Sequence, residues 1–85
     1  MITITEPTGT ITVSPQDTIT FKGKSGPALR YLVLDSGGGT VEDVTLSPPT
    51  PPNWSQDITA PQTTGNYTFR IHDAKDSAEK SFTVS

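Results

Sequence analysis

Gly65-Asn66-Tyr67-Thr68-Phe69-Arg70-Ile71-His72-Asp73 alternates apolar and polar side chains more cleanly than any other stretch of the chain. Tyr67, Phe69 and Ile71 fall on one side, and Asn66, Thr68, Arg70 and His72 on the other. A period of two is what a β-strand with one buried face requires, and Gly65 and Asp73 are turn residues that bound it. This segment is expected to be the central core strand.

Working outward, the other segments also read as strands. Ile2-Thr3-Ile4-Thr5 and Thr10-Ile11-Thr12-Val13 look like one strand broken in two by Glu6-Pro7-Thr8-Gly9. Proline cannot donate to a ladder, so this piece belongs at a sheet edge, where a split strand can change partners. Residues 17 to 24 give the second strand, with Ile19 and Phe21 inward and facing the Tyr67 strand. Residues 29 to 34, Leu-Arg-Tyr-Leu-Val-Leu, are apolar on both faces; alternation leaves the choice open, and Tyr31 and Val33 are the favoured core pair. Val41, Val44 and Leu46 lie out of strict step, which points to a bulge or an edge near Glu42-Asp43. Ser47 to Asn53 carries four prolines and must be extended, crossing between sheets or lying along the surface. Trp54 begins a strand in step with Gln56 and Ile58 and is expected to be buried. After the core strand and an Asp73 to Ala78 loop, the last strand places Phe82 and Val84 inward.

Composition agrees. Fifteen threonines favour strands, because β-branched side chains fit a pleated surface and crowd a helix. Every long segment meets Pro or Gly, so no extended helix has room. Eighty-five residues make one domain. Only 31% of residues are hydrophobic, yet a net charge of -3 and periodic apolar clusters argue against disorder. The six Lys and Arg are scattered, so nucleic acid is not an expected partner. No apolar run is long enough to insert in a bilayer, and the first residues lack a signal-peptide pattern, so targeting would come from elsewhere. With no cysteine there is no disulfide framework and no thiolate chemistry.

Together these features imply an all-β, seven- to eight-stranded sandwich. The C-terminal third, G-N-Y-T-F-R-I-H-D-A-K-D-S-A-E-K-S-F-T-V, resembles the end of bacterial immunoglobulin-like domains, which run Gly-x-Tyr-Thr-x-x-Val-x-Asp, a short turn and a Ser/Thr-rich strand ending in Val. The opening I-T-E-P-T-G-T-I-T-V-S-P-Q-D-T-I-T-F-K-G is similar to their first two strands. Residues 27 to 59 match nothing specific, and Lys75-Asp76-Ser77 stands where these domains usually carry Gly-Asn. The resemblance implies an immunoglobulin-like Greek-key sandwich with fibronectin type III-like relatives, the Gly65-x-Tyr67 acting as a tyrosine corner whose ring packs inside and whose hydroxyl ties down the backbone of Ala60-Pro61-Gln62-Thr63-Thr64. It further implies a non-catalytic, monomeric module of a multidomain extracellular or cell-surface protein, partnered by neighbouring domains of its own chain, with termini leaving from opposite ends. The alternatives are a carbohydrate- or ligand-binding sandwich, with a polysaccharide or surface protein as partner, and an adhesive or phage-virion decorating domain.

Residues able to carry chemistry are few. His72 is the only histidine, falls on the outward face, and reads as a solvated strand residue with no companions for a zinc site. No Gly-x-Ser-x-Gly exposes a serine nucleophile. Glu42 and Asp43 are strand neighbours that face opposite ways. The Gly37-Gly38-Gly39 loop precedes no helix and so is no phosphate cradle. Asp35, Asp73 and Asp76 would form a calcium site if the loops gathered them at one end, but no calcium-loop spacing is present, and turn roles explain all three. Asn53-Trp54-Ser55 and Asn66-Tyr67-Thr68 fit the glycosylation pattern, though 23 Ser and Thr make chance matches easy. No catalytic residue, metal or cofactor is expected.

Overall fold

The computed structural model describes residues 2–85. Among the described residues eight strands follow one another: β1 (Thr3–Glu6), β2 (Thr12–Val13), β3 (Thr18–Lys24), β4 (Arg30–Asp35), β5 (Thr40–Thr45), β6 (Trp54–Thr59), β7 (Gly65–His72) and β8 (Ser77–Val84). They form two sheets, β1-β3-β6 and β2-β8-β7-β4-β5. The core strand expected from sequence is β7, held between β8 and β4 at the centre of the larger sheet.

The broken first strand does change partners. β1 pairs antiparallel with β3, whereas β2 pairs parallel with β8 in the opposite sheet, fixed by the Thr83 N–H donating to the Ile11 carbonyl and Ser85 N–H to Val13. The proline-rich stretch carries the chain from β5 in the larger sheet to β6 in the smaller. It is pinned where the Thr50 N–H reaches the Ala28 carbonyl at 3.1 Å and the Ala28 N–H reaches Thr50 Oγ1 at 2.8 Å. In β4, Tyr31 and Val33 are buried and Leu32 and Leu34 half-buried, so the favoured pair is the core pair. The irregularity near Glu42 is a bulge: Val33 faces Glu42 and Leu34 faces Thr40, leaving Val41 unmatched and exposed.

All six aromatic side chains lie between the sheets. Phe21 of β3 stacks on Phe69 of β7 with ring centroids 4.1 Å apart and planes 4° from parallel. Tyr31 and Trp54 lean on Phe69, Phe82 leans on Phe21, and Tyr67 stacks on Phe82, making one connected cluster. Each such contact adds about 0.5–1.5 kcal/mol beyond the area it buries. The smaller residues Ile19, Ile58, Ile71 and Val84 fill the remaining space.

Gly23 is the close approach that lets the smaller sheet form. A Cβ there would stand 1.9 Å from the Thr3 carbonyl oxygen and 2.5 Å from the Trp54 ring, so no other residue fits between β1 and the indole. Trp54 is itself 2% exposed, as its step with Ile58 implied.

Candidate functional site

The two ends of the sandwich are built by different loops. One holds the Lys24–Leu29 connection, the proline-rich segment and the β7–β8 turn; Ile2 belongs here, with its backbone N–H turned toward the Asp73 carboxylate. The other holds the Asp35–Gly39 loop and the Ala60–Thr64 corner, with Ser85 beside Val13 nearby. Residues 2 and 85 are therefore separated by the length of β8, in a molecule of 32 × 23 × 18 Å.

This arrangement separates Asp35 from Asp73 and Asp76, the three aspartates that would have made a calcium site. Asp35 pairs in register with Tyr67, and Asp73 lies six residues further along the same strand direction, about 20 Å away at ~3.3 Å per residue. The carboxylates of Asp35 and Asp73 each serve their own turn instead. Asp35 accepts from the N–H groups of Gly37 and Gly39 at 2.9 and 2.8 Å. Asp73 accepts from the N–H groups of Lys75 and Asp76, and these bonds hold its carboxyl below the usual carboxylate range. Among the described residues no group of three or more His, Asp or Glu could hold a metal ion.

His72 departs from expectation. It does lie on the outward face, opposite Arg30 of β4 and Ser77 of β8, but it is half-buried and its Nε2 is sealed from water without a hydrogen-bond partner among the described residues. Alternation tells which face a residue takes and not how densely its neighbours cover it. Burial is the main cause that lowers its pKa, with Arg70 and Arg30 acting the same way and Asp43 and Asp73 opposing. Beside it Arg30 grips Asp43 through two bonds of 2.8 and 2.6 Å, and Arg70 pairs with Glu79 at 3.0 Å.

Glu42 and Asp43 face opposite ways, and sequence reading did not supply Glu42 with a partner. It accepts the Tyr31 hydroxyl at 2.8 Å across the β4–β5 pair. Burial and that bond together push the Tyr31 phenol up to about 12, so it stays a proton donor at any ordinary pH. The signal that would have found this pair is register, which the bulge at Val41 displaces.

The surface depressions differ in polarity, and the aromatic residues that line any of them, Tyr67, Phe82 and Trp54, are at most 7% exposed. The groove between the Gly9–Ile11 segment and β8, about 600 Å³, carries the hydroxyls and amides of Thr10, Asn66, Thr68, Ser81 and Thr83, with the buried Tyr67 and Phe82 also lining it. At the opposite end Pro27, Leu29 and the Asp73–Asp76 turn line an apolar notch of about 210 Å³. Asn53 and Asn66, of the two glycosylation patterns, are both exposed. Asn66 Oδ1 is engaged by the Thr83 hydroxyl at 3.0 Å.

No protein-family model matches the chain, and no curated protein matches it. Among solved structures it is similar to one described as structures of Clostridium thermocellum CbhA fibronectin(III)-like modules. The TM-score is 0.58 at 13% identity, covering 100% of this chain and 96% of the other. Two sheets, antiparallel except where β2 joins β8, a split first strand that changes sheets and a tyrosine tied to its corner, together with this likeness, show that the chain has the immunoglobulin-like, fibronectin type III-like β-sandwich fold.

Proposed function

We propose that the chain is a non-catalytic spacer or presenting module of a multidomain extracellular or cell-surface protein, partnered by the domains on either side of it. The observation that carries this reading is the fate of the aromatic side chains. Sugar-binding sandwiches present flat aromatic faces to solvent, and here all six rings are at most 7% exposed and joined in one core cluster. Residues 2 and 85 at opposite ends suit a bead on a string, and the fold likeness is to a protein described as modules.

Affinity electrophoresis of the folded protein through gels containing soluble plant and bacterial polysaccharides tests the reading. Unretarded migration in every gel is expected. Retardation by any one of them, reversed by the free polysaccharide, overturns it in favour of a binding module.

A further inference from the structure

The two sheets have four edge strands, and three carry a device that prevents pairing with another chain. β1 has a bulge between Ile4 and Glu6 and runs into Pro7; β2 is two residues long; β5 is bulged at Val41. Along β8, where β2 no longer covers it, Lys80 faces the core side as an inward-pointing charge. These are the recognised means of blunting an edge. β6 has no bulge and no inward-pointing charge; its one charged side chain, Asp57, is exposed and accepts from the Thr20 hydroxyl at 2.6 Å. Its six residues pair with β3 without a register shift and include no proline or lysine.

The direction of its free groups follows from the ladder. Ala60 uses both its N–H, to the Asp17 carbonyl, and its carbonyl, to the Gln16 N–H, toward β3. By alternation Ile58, Gln56 and Trp54 also point toward β3, and Ser55, Asp57 and Thr59 turn their N–H and C=O groups outward. Among the described residues no backbone bond reaches these outward groups. Their one cover is the Gln56 side chain, whose Nε2 donates to the Asp57 carbonyl at 3.1 Å in an exposed, exchangeable contact.

We propose that the outer edge of β6 is a strand-addition site and that its occupant is β6 of a second copy, paired antiparallel about a two-fold axis at Gln56. The sequence of the strand selects that register. Facing residues on a two-fold antiparallel pair must have the same parity, so the axis passes through a residue. Centred on Gln56, Ser55 faces Asp57 of the second copy, Trp54 faces Ile58, and the outward groups of 55 and 57 meet as a hydrogen-bonded pair. Centred on Asp57, two carboxylates would stand directly opposed, which destabilises a cross-strand pair. Centred on Ser55, Trp54 would face Gln56 and most of the strand would hang unpaired. One six-residue strand from each copy makes an interface at the low end of the size range, so the association is weak and concentration-dependent.

The absence of native cysteine makes the register directly readable. In the proposed pair the two Gln56 residues form a non-hydrogen-bonded pair with Cα atoms about 4.5 Å apart, within disulfide reach. Single-thiol variants Gln56→Cys, Ser55→Cys, Asp57→Cys and, as a distant control, Thr3→Cys are oxidised at equal concentration after circular dichroism confirms that each is folded. Gln56→Cys is expected to give a disulfide dimer at least ten-fold faster than the other three. Equal rates in all four, or fastest linkage through residue 55 or 57, overturns the proposal. Independently of any substitution, amide hydrogen exchange of Ser55 and Asp57 in the unaltered protein should slow several-fold between dilute solution and about 1 mM. Exchange that is the same at both concentrations overturns it as well.

Discussion

The Tyr67 hydroxyl donates to the Thr63 carbonyl oxygen at 2.6 Å, closing the Ala60–Thr64 corner onto the strand that follows it. The ring below the hydroxyl is stacked on Phe82, so one side chain anchors both the corner and the larger sheet. Removing only the oxygen in Tyr67→Phe leaves that stack intact and strands the Thr63 carbonyl. A loss of about 1 kcal/mol or somewhat more is expected, from one net hydrogen bond and an acceptor left without its donor. Urea melts of the two proteins check it, with an unchanged slope and a lower midpoint.

Gly23→Ala is expected to be far more damaging than its single methyl suggests. The new carbon would stand 1.9 Å from the Thr3 carbonyl oxygen and 2.5 Å from the Trp54 ring, and backbone cannot swing aside as a flexible side chain does. Overpacking of this kind costs ~1–3 kcal/mol and sometimes more. Hydrogen exchange should locate the damage in β1, whose amides exchange faster while those of β7 keep their relative order of protection.

His72 makes stability depend on pH in a window of its own. Its folded pKa lies below the unperturbed value near 6.5, so on acidification the unfolded chain takes up a proton that the folded chain resists. Stability is therefore expected to fall as pH drops from about 7.5 through 6.5 toward the lowered folded value. Asp43 and Asp73, both held below the usual carboxylate range, contribute stability that persists through this window and is lost only in stronger acid. Thermal melts between about pH 7.5 and 5.5, one unit either side of the imidazole value, should slope in the native chain and flatten in His72→Gln.

Much of this fold is legible in the sequence because its signals are local. The alternation from Tyr67 to Ile71, the prolines that split the first strand and the mismatch around Val41 each report on neighbours within a few residues, and each became the expected element. Trp54 and the Tyr31–Val33 pair were readable from their step with flanking apolar residues. What was not legible depends on which strands become neighbours. Asp35 and Asp73 could be placed at opposite ends only once β4 and β7 were known to run antiparallel. The sealed imidazole of His72 depends on Arg30 and Ser77 arriving from two different strands. The free edge of β6 exists only through the order β1-β3-β6, which no single segment encodes.

Trp54 carries the central claim, that the aromatic side chains of this chain are spent on holding the two sheets together and none is left to bind. It is 2% exposed, leans on Phe69 and packs against Gly23, and its buried indole N–H has no hydrogen-bond partner among the described residues. The most direct test is to measure, on Trp54→Ala, both unfolding free energy and retardation in polysaccharide gels. The account predicts a loss of about 3–5 kcal/mol, enough to leave a domain of this size largely unfolded, and no change in a binding that the native protein also lacks. A Trp54→Ala protein with the native unfolding midpoint, which has lost an affinity for a polysaccharide that the native protein shows, would contradict it.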